Sequence, residues 1–171
     1  MGPNKFLVLE FHVQDIYMSD KTNAMALSYG VKGTPQVYFD GSNPALGGFG
    51  AAQEDYNRYK LMISIESMQP SPVAITAVES SGGNSLVLNV QITDISSQAM
   101  SGARVNAITY LDWGTSQYRA IVNDVSSSTT VSLSPGQTGN YQITLPKPAR
   151  FVQAVVLLTS GENVVQAALV S

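Results

Sequence analysis

The chain contains no cysteine. This excludes disulfides, thiolate nucleophiles, zinc–thiolate centres and iron–sulfur clusters within this polypeptide. Histidine is nearly as scarce. His12 stands alone, so no second His or Cys completes a metal set, and no Gly-x-Ser-x-Gly elbow accompanies it. Charge is the third shortage. Charged residues make up 12% of 171 residues, about half the usual share of roughly 25%. The net charge is −3, and no basic stripe exists to neutralise phosphates, which argues against nucleic acid as a partner. No apolar run reaches about 18 residues, so no helical membrane span is expected. Met1-Gly2-Pro3-Asn4-Lys5 lacks the pattern of a signal peptide. Either the chain is cytoplasmic or an export segment precedes it. No catalytic group, metal or cofactor is expected in this chain.

What is present is apolar patterning. Hydrophobic residues reach 44%, enough for a buried core in one large domain or two small ones. Ser, Thr, Asn and Gln take the place of the missing charges, a surface common on secreted β-rich domains. Lys5 to Val13 is a near-continuous apolar run, which reads as a strand covered on both faces. Ser19 or Asp20 caps a short helix with Ala24, Leu27 and Ser28 on one side, and Gly30 ends it. Val37 and Phe39 alternate with Gln36 and Tyr38, and Asp40-Gly41 turns the chain. Ala45 to Phe49 is expected to return antiparallel. Ala52 to Met68 is the best helix, with Tyr56, Tyr59 and Ile63 on one stripe and Leu61, Ile65 and Met68 beside it. Glu54 and Arg58 stand at i,i+4 and are expected to pair.

Gln69-Pro70-Ser71-Pro72 stops that helix and marks a boundary between residues 1–69 and 70–171. Beyond it the period becomes two. Leu86, Leu88, Val90 and Ile92 alternate with polar residues, and further strands are expected at 73–79, 105–111, 118–122, 129–133, 141–145, 151–159 and 164–170. Turn residues separate them. This spacing reads as an antiparallel sandwich of immunoglobulin or fibronectin type, each strand with one face in the core and the other in solvent.

The run Tyr29-Gly30-Val31-Lys32-Gly33-Thr34-Pro35-Gln36-Val37-Tyr38-Phe39-Asp40-Gly41 resembles the cis-proline segment of the thioredoxin superfamily. The resemblance covers about residues 5 to 68. It implies an α+β fold: an incomplete thioredoxin-like β-α-β-β-α unit, followed by the immunoglobulin-like sandwich. It implies a cis bond at Thr34-Pro35, with Gly33, Thr34, Pro35 and Gln36 as a peptide-docking loop. The whole layout is similar to bacterial exported proteins that join these two domain types. By that likeness the protein is extracytoplasmic: periplasmic, cell-surface or secreted.

One part of the family's pattern is missing. Its Cys-x-x-Cys follows a first strand that lies between the strands matched here by Lys5–Val13 and Gln36–Phe39. Leaving out a central strand would orphan buried backbone groups at about 1–3 kcal/mol each. Three completions are open: an upstream segment of a longer protein, a second copy lending a strand, or a rearranged domain.

The remaining candidates are bland beside their alternatives. His12 reads as a core or strand-edge residue, against a ligand or base. Asp15 and Asp20 around Tyr17 read as a solvated loop, against a calcium site. Gly47-Gly48-Phe49-Gly50 reads as a bulged strand end, against an anion site. Tyr110, Trp113 and Tyr118 read as sandwich aromatics, against a sugar- or protein-binding turn. The functional expectation is a non-catalytic two-domain protein acting in protein binding or envelope and surface assembly. Its partner is a protein, a peptide or a second copy. The alternative is the C-terminal part of a thiol–disulfide oxidoreductase whose Cys-x-x-Cys lies upstream.

Overall fold

Twelve elements follow one another: α1 (Asp20–Ser28), β1 (Gln36–Phe39), β2 (Asn43–Leu46), α2 (Ala52–Glu66), β3 (Val73–Gly82), β4 (Ser85–Asp94), β5 (Met100–Leu111), β6 (Ile121–Val125), β7 (Thr129–Leu133), β8 (Thr138–Pro146), β9 (Gln153–Ser160) and β10 (Asn163–Leu169). They come from a computed structural model that describes residues 6–41, 43–46, 51–111, 120–148, 151 and 153–171. The protein is an α+β chain built mostly of antiparallel sheet.

Period-two patterning after Pro72 becomes two sheets. One runs β10-β9-β5-β6, with β7 beside the first half of β5, and the other runs β3-β4-β8. Leu86, Leu88 and Ile92 of β4 face Val105, Val156 and Leu158 of the larger sheet in one buried cluster. Burying each such side chain is worth about 1.5–3 kcal/mol. Ser171 crosses to the smaller sheet, where its carbonyl accepts the Glu79 N–H at 3.1 Å and its own N–H reaches the Ala77 carbonyl at 3.0 Å.

The expectation that every strand keeps one face in solvent fails in the larger sheet. Ala154 to Leu158 of β9 is buried at every position. Ile108, Val122, Val125, Val155 and Leu157 form a second cluster, against which Leu7, Leu9, Phe11 and Met25 pack. Alternate side chains of one strand project to opposite faces, so this cluster is the outer face of the sheet. The amino-terminal region covers it.

That placement also corrects the reading of Lys5–Val13. Lys5 lies outside the described residues, and 6–13 form no strand. Glu10 alone makes a parallel bridge to Ile121. Its N–H donates to the Ala120 carbonyl at 2.9 Å, and its carbonyl accepts the Val122 N–H at 2.9 Å. A segment lying over a sheet face cannot share that sheet's ladder, so it bridges only at the rim. One side of the run packs inward, while Phe6 and Val8 stay exposed.

Several expected bounds move. The return strand is Asn43–Leu46, and 47–50 fall outside the described residues. The strand expected at 118–122 is Ile121–Val125. α2 ends at Glu66, two residues early. Arg58 pairs with Asp55 at 3.0 Å, one position nearer than Glu54. In α1 the side of Ala24, Leu27 and Ser28 is exposed, and Thr22 and Ala26 are buried instead. α1 turns that face inward because Lys21 reaches Asp124 of β6 at 2.9 Å and Met25 packs on the outer-face cluster.

Candidate functional site

The stretch from α1 into β1 is fixed by local hydrogen bonds. Ser19 Oγ accepts the Thr22 N–H at 3.2 Å, and Thr22 Oγ1 accepts the Ser19 N–H at 2.9 Å, a reciprocal cap that starts α1. Gly30 ends the helix in the left-handed region at φ 72°. Next comes a latch. The Lys32 N–H donates to Gln36 Oε1 at 3.3 Å, and Gln36 Nε2 donates to the Tyr38 hydroxyl at 2.8 Å. Tyr38 in turn lies against Tyr29, with ring centroids 5.6 Å apart.

Within this frame the Thr34–Pro35 bond is cis. Gly33, Thr34 and Pro35 are exposed together. Gln36 is half-buried and committed to the latch, so it shapes the loop from within. The loop leads into β1, which pairs with β2 from Gln36↔Leu46 to Phe39↔Asn43. Among the described residues no strand pairs with the other edge of β1. α2 lies against β1, with Phe39 and Tyr59 rings 5.8 Å apart.

The turn after β1 anchors this unit to the sandwich. Asp40 and Gly41 both have positive φ, 46° and 78°. The Asp40 carbonyl accepts the Val164 N–H at 2.7 Å. A Cβ added at Gly41 would collide with the Glu162 carbonyl, so only glycine permits this approach. Burial, and then the nearby Glu66 carboxylate, push the Asp40 carboxyl above its ordinary value. Burial, and then Glu162, push the Tyr29 phenol up in the same way.

The other sequence candidates are dispersed. His12 Nδ1 lies 2.6 Å from Asp15 Oδ2, and its ring meets Tyr17 edge-on at 5.1 Å. Slight burial works to raise the Asp15 carboxyl, but the contact with His12 and the Tyr17 N–H outweigh it and hold the group below its ordinary value. Asp20 sits in the first turn of α1. Among the described residues no three His, Asp or Glu side chains group as metal ligands. Tyr110 packs beside the outer-face cluster. Trp113, Tyr118 and Gly47-Gly48-Phe49-Gly50 lie outside the described residues. No described helix is long and apolar enough to cross a membrane.

Sequence reasoning missed the latch and the covered outer face. The latch has no sequence signature, because it joins residues of common types through side-chain amide geometry. The covered face had a signal in the unbroken run Ala154-Val155-Val156-Leu157-Leu158.

No protein-family model and no curated protein matches the chain. Solved structures do. HBP35 of Porphyromonas gingivalis is similar over 93% of this chain and 61% of its own, with 10% identity and a TM-score of 0.66. Protein AGR_C_4864 from Agrobacterium tumefaciens is similar over 91% of this chain and 72% of its own, with 19% identity and a TM-score of 0.51. A β-glucosidase from Kluyveromyces marxianus aligns with 57% of this chain, which spans only 13% of that enzyme, at a TM-score of 0.39. The first two likenesses concern fold alone, and they extend over both regions of the chain.

Proposed function

We propose that this chain is a non-catalytic, extracytoplasmic protein-binding module. In this reading an incomplete thioredoxin-like unit presents the loop Gly33-Thr34-Pro35-Gln36 and the strand β1 to an extended polypeptide. The immunoglobulin-like sandwich holds that unit in place. The observation that carries the reading is the edge of β1 that no described strand occupies. An unpaired edge offers a row of N–H and C=O groups to an added strand. The loop before it is exposed at Gly33, Thr34 and Pro35. The order α1-β1-β2-α2 and the absence of any thiol fit a site that binds without exchanging disulfides. The same open edge also favours a second reading. There an upstream strand with Cys-x-x-Cys occupies it, as part of a thiol–disulfide oxidoreductase.

The test is amide hydrogen exchange with a Lys-flanked Val-Thr octapeptide as probe. Binding at the edge slows exchange at Gln36–Phe39 and leaves β4 unchanged. Unaltered exchange at those amides with saturating peptide would remove the proposal. An insulin-reduction assay on the same chain should stay at background, since disulfide exchange needs a thiolate.

A further inference from the structure

We propose that the outer face of the β3-β4-β8 sheet binds a neutral oligosaccharide. The site is separate from the β1 loop and does not depend on the edge-binding reading. Leu86, Leu88, Val90 and Ile92 of β4 turn into the core, so alternation sends Asn89 and Gln91 outward. Thr76 and Val78 of β3 lie beside them on one side, and Asn140 and Gln142 of β8 on the other. These six residues line a shallow groove of about 510 Å³, within the usual size range of small-molecule sites. All six are exposed, and among the described residues no segment covers them. The larger sheet's outer face is apolar and covered; this one is neither.

Charge selects the class of ligand. β3, β4 and β8 contain two charged residues, Glu79 and Asp94, and both fall on the inner side of the alternation. The outward positions are therefore uncharged, although a protein surface ordinarily carries about 25–35% charged residues. An ionic ligand finds no counter-charge here. A protein partner fits no better, because interface cores are enriched in aromatic residues, Met and Arg, and the outward positions have none of these.

The hydrogen bonds on the face point to a polyol. Gln91 Nε2 donates to Asn140 Oδ1 at 3.3 Å, and in the next row Gln142 Nε2 donates to Asn89 Oδ1 at 3.3 Å. Each bond holds two amides side by side, so less side-chain freedom is lost when a ligand arrives. Gln91 Oε1 and Asn140 Nδ2 remain for that ligand in one row, and Gln142 Oε1 and Asn89 Nδ2 in the other. Acceptor and donor thus exchange strands between rows about 7 Å apart. A carboxylate only accepts and an ammonium only donates, so either would leave half of these groups unmatched. A hydroxyl does both. Val78, 51% exposed beside Asn89, offers an apolar patch to the C–H face of a sugar ring.

The test is a titration of the full chain with maltohexaose, cellotetraose and mannotetraose, followed through side-chain amide signals in ¹⁵N NMR. At least one probe should shift the Asn89, Gln91, Asn140 and Gln142 signals with a Kd on the order of 1 mM, and leave β1 unchanged. Gln91→Ala and Gln142→Ala, both at exposed positions, should each weaken binding about tenfold without lowering the melting temperature, the size of one or two neutral hydrogen bonds. Tetragalacturonate, which is charged, should bind far more weakly. No shift with any of the three neutral probes at about 10 mM, shifts that survive Gln91→Ala, or equal binding of tetragalacturonate overturns the proposal. A dimer in sedimentation velocity that Gln91→Ala breaks would make the face a protein interface, and would overturn it as well.

Discussion

The sandwich and the amino-terminal region are held by different means. In the sandwich, Leu86, Leu88, Ile92 and Leu158 are sealed between facing sheets. Before Val73, the buried residues among those described are Thr22, Ala26 and Gly41. Local signals there are good: a reciprocal cap, a helix-ending glycine, a left-handed turn. Such signals choose a conformation without supplying much stability, since helices and hairpins of this size depend on tertiary packing. The amino-terminal region finds that packing on the outer face of the larger sheet, through Leu7, Leu9, Phe11 and Met25. It borrows stability from a core that it does not build.

The sharpest way to break this contrast is a pair of truncations. Leu88→Ala should cost about 2–5 kcal/mol, because it opens a cavity between two sheets. Leu61→Ala, on the exposed stripe of α2, should stay within about 0.5 kcal/mol. Urea unfolding of both variants measures the difference. Equal losses would mean that Leu61 is packed in solution, and the contrast between the two regions would fail.

Phe11→Ala should come next, at about 1–2 kcal/mol for a partly buried aromatic. Its effect should be regional. Amides of α1 and β6 should exchange faster, while those of β4 and β8 keep their protection. If β4 loosens equally, the two regions unfold as one unit and the contrast is false.

The legibility of the chain follows the same division. Seven of the eight sandwich strands could be read to within about three residues from turn residues and alternation, because a face buried between sheets forces period two. β5 was anticipated only from Val105, since its first residues, from Met100, carry little apolar alternation. The run at 6–13 was misread because an apolar segment does not state what will cover it. A central strand and a strap across a sheet face need the same residues. The cis bond at Thr34–Pro35 stands where it was expected, and β1 followed from alternation. The latch through Gln36 and the anchoring of Gly41 on Glu162 were not, since both depend on distant or side-chain geometry.

A smaller effect sharpens what the local signals do. Ser19→Ala removes the acceptor for the Thr22 N–H and should cost roughly 1 kcal/mol. The loss should appear as faster exchange at Thr22, with the sandwich core unaffected. A fall in β4 protection would show that the cap supports more than its own helix.

Asp40→Asn should have the smallest effect, and its sign depends on pH. Burial and Glu66 hold the folded carboxyl above its ordinary 3.8. The folded protein therefore binds that proton more tightly than the unfolded chain does. Its contribution to stability is full below the ordinary value and is lost as pH rises through the raised folded value. At neutral pH the ionised group is slightly unfavourable, and Asn removes that cost. In dilute solution Asp40→Asn should raise stability by less than about 0.5 kcal/mol, because solvent on the exposed side of the carboxylate screens the effect. The gain should vanish towards acid pH. Urea midpoints at neutral and acid pH measure the change. A loss of stability in dilute neutral solution would show that the junction between hairpin and sandwich is held by the charge of Asp40, and not merely by its backbone bond to Val164.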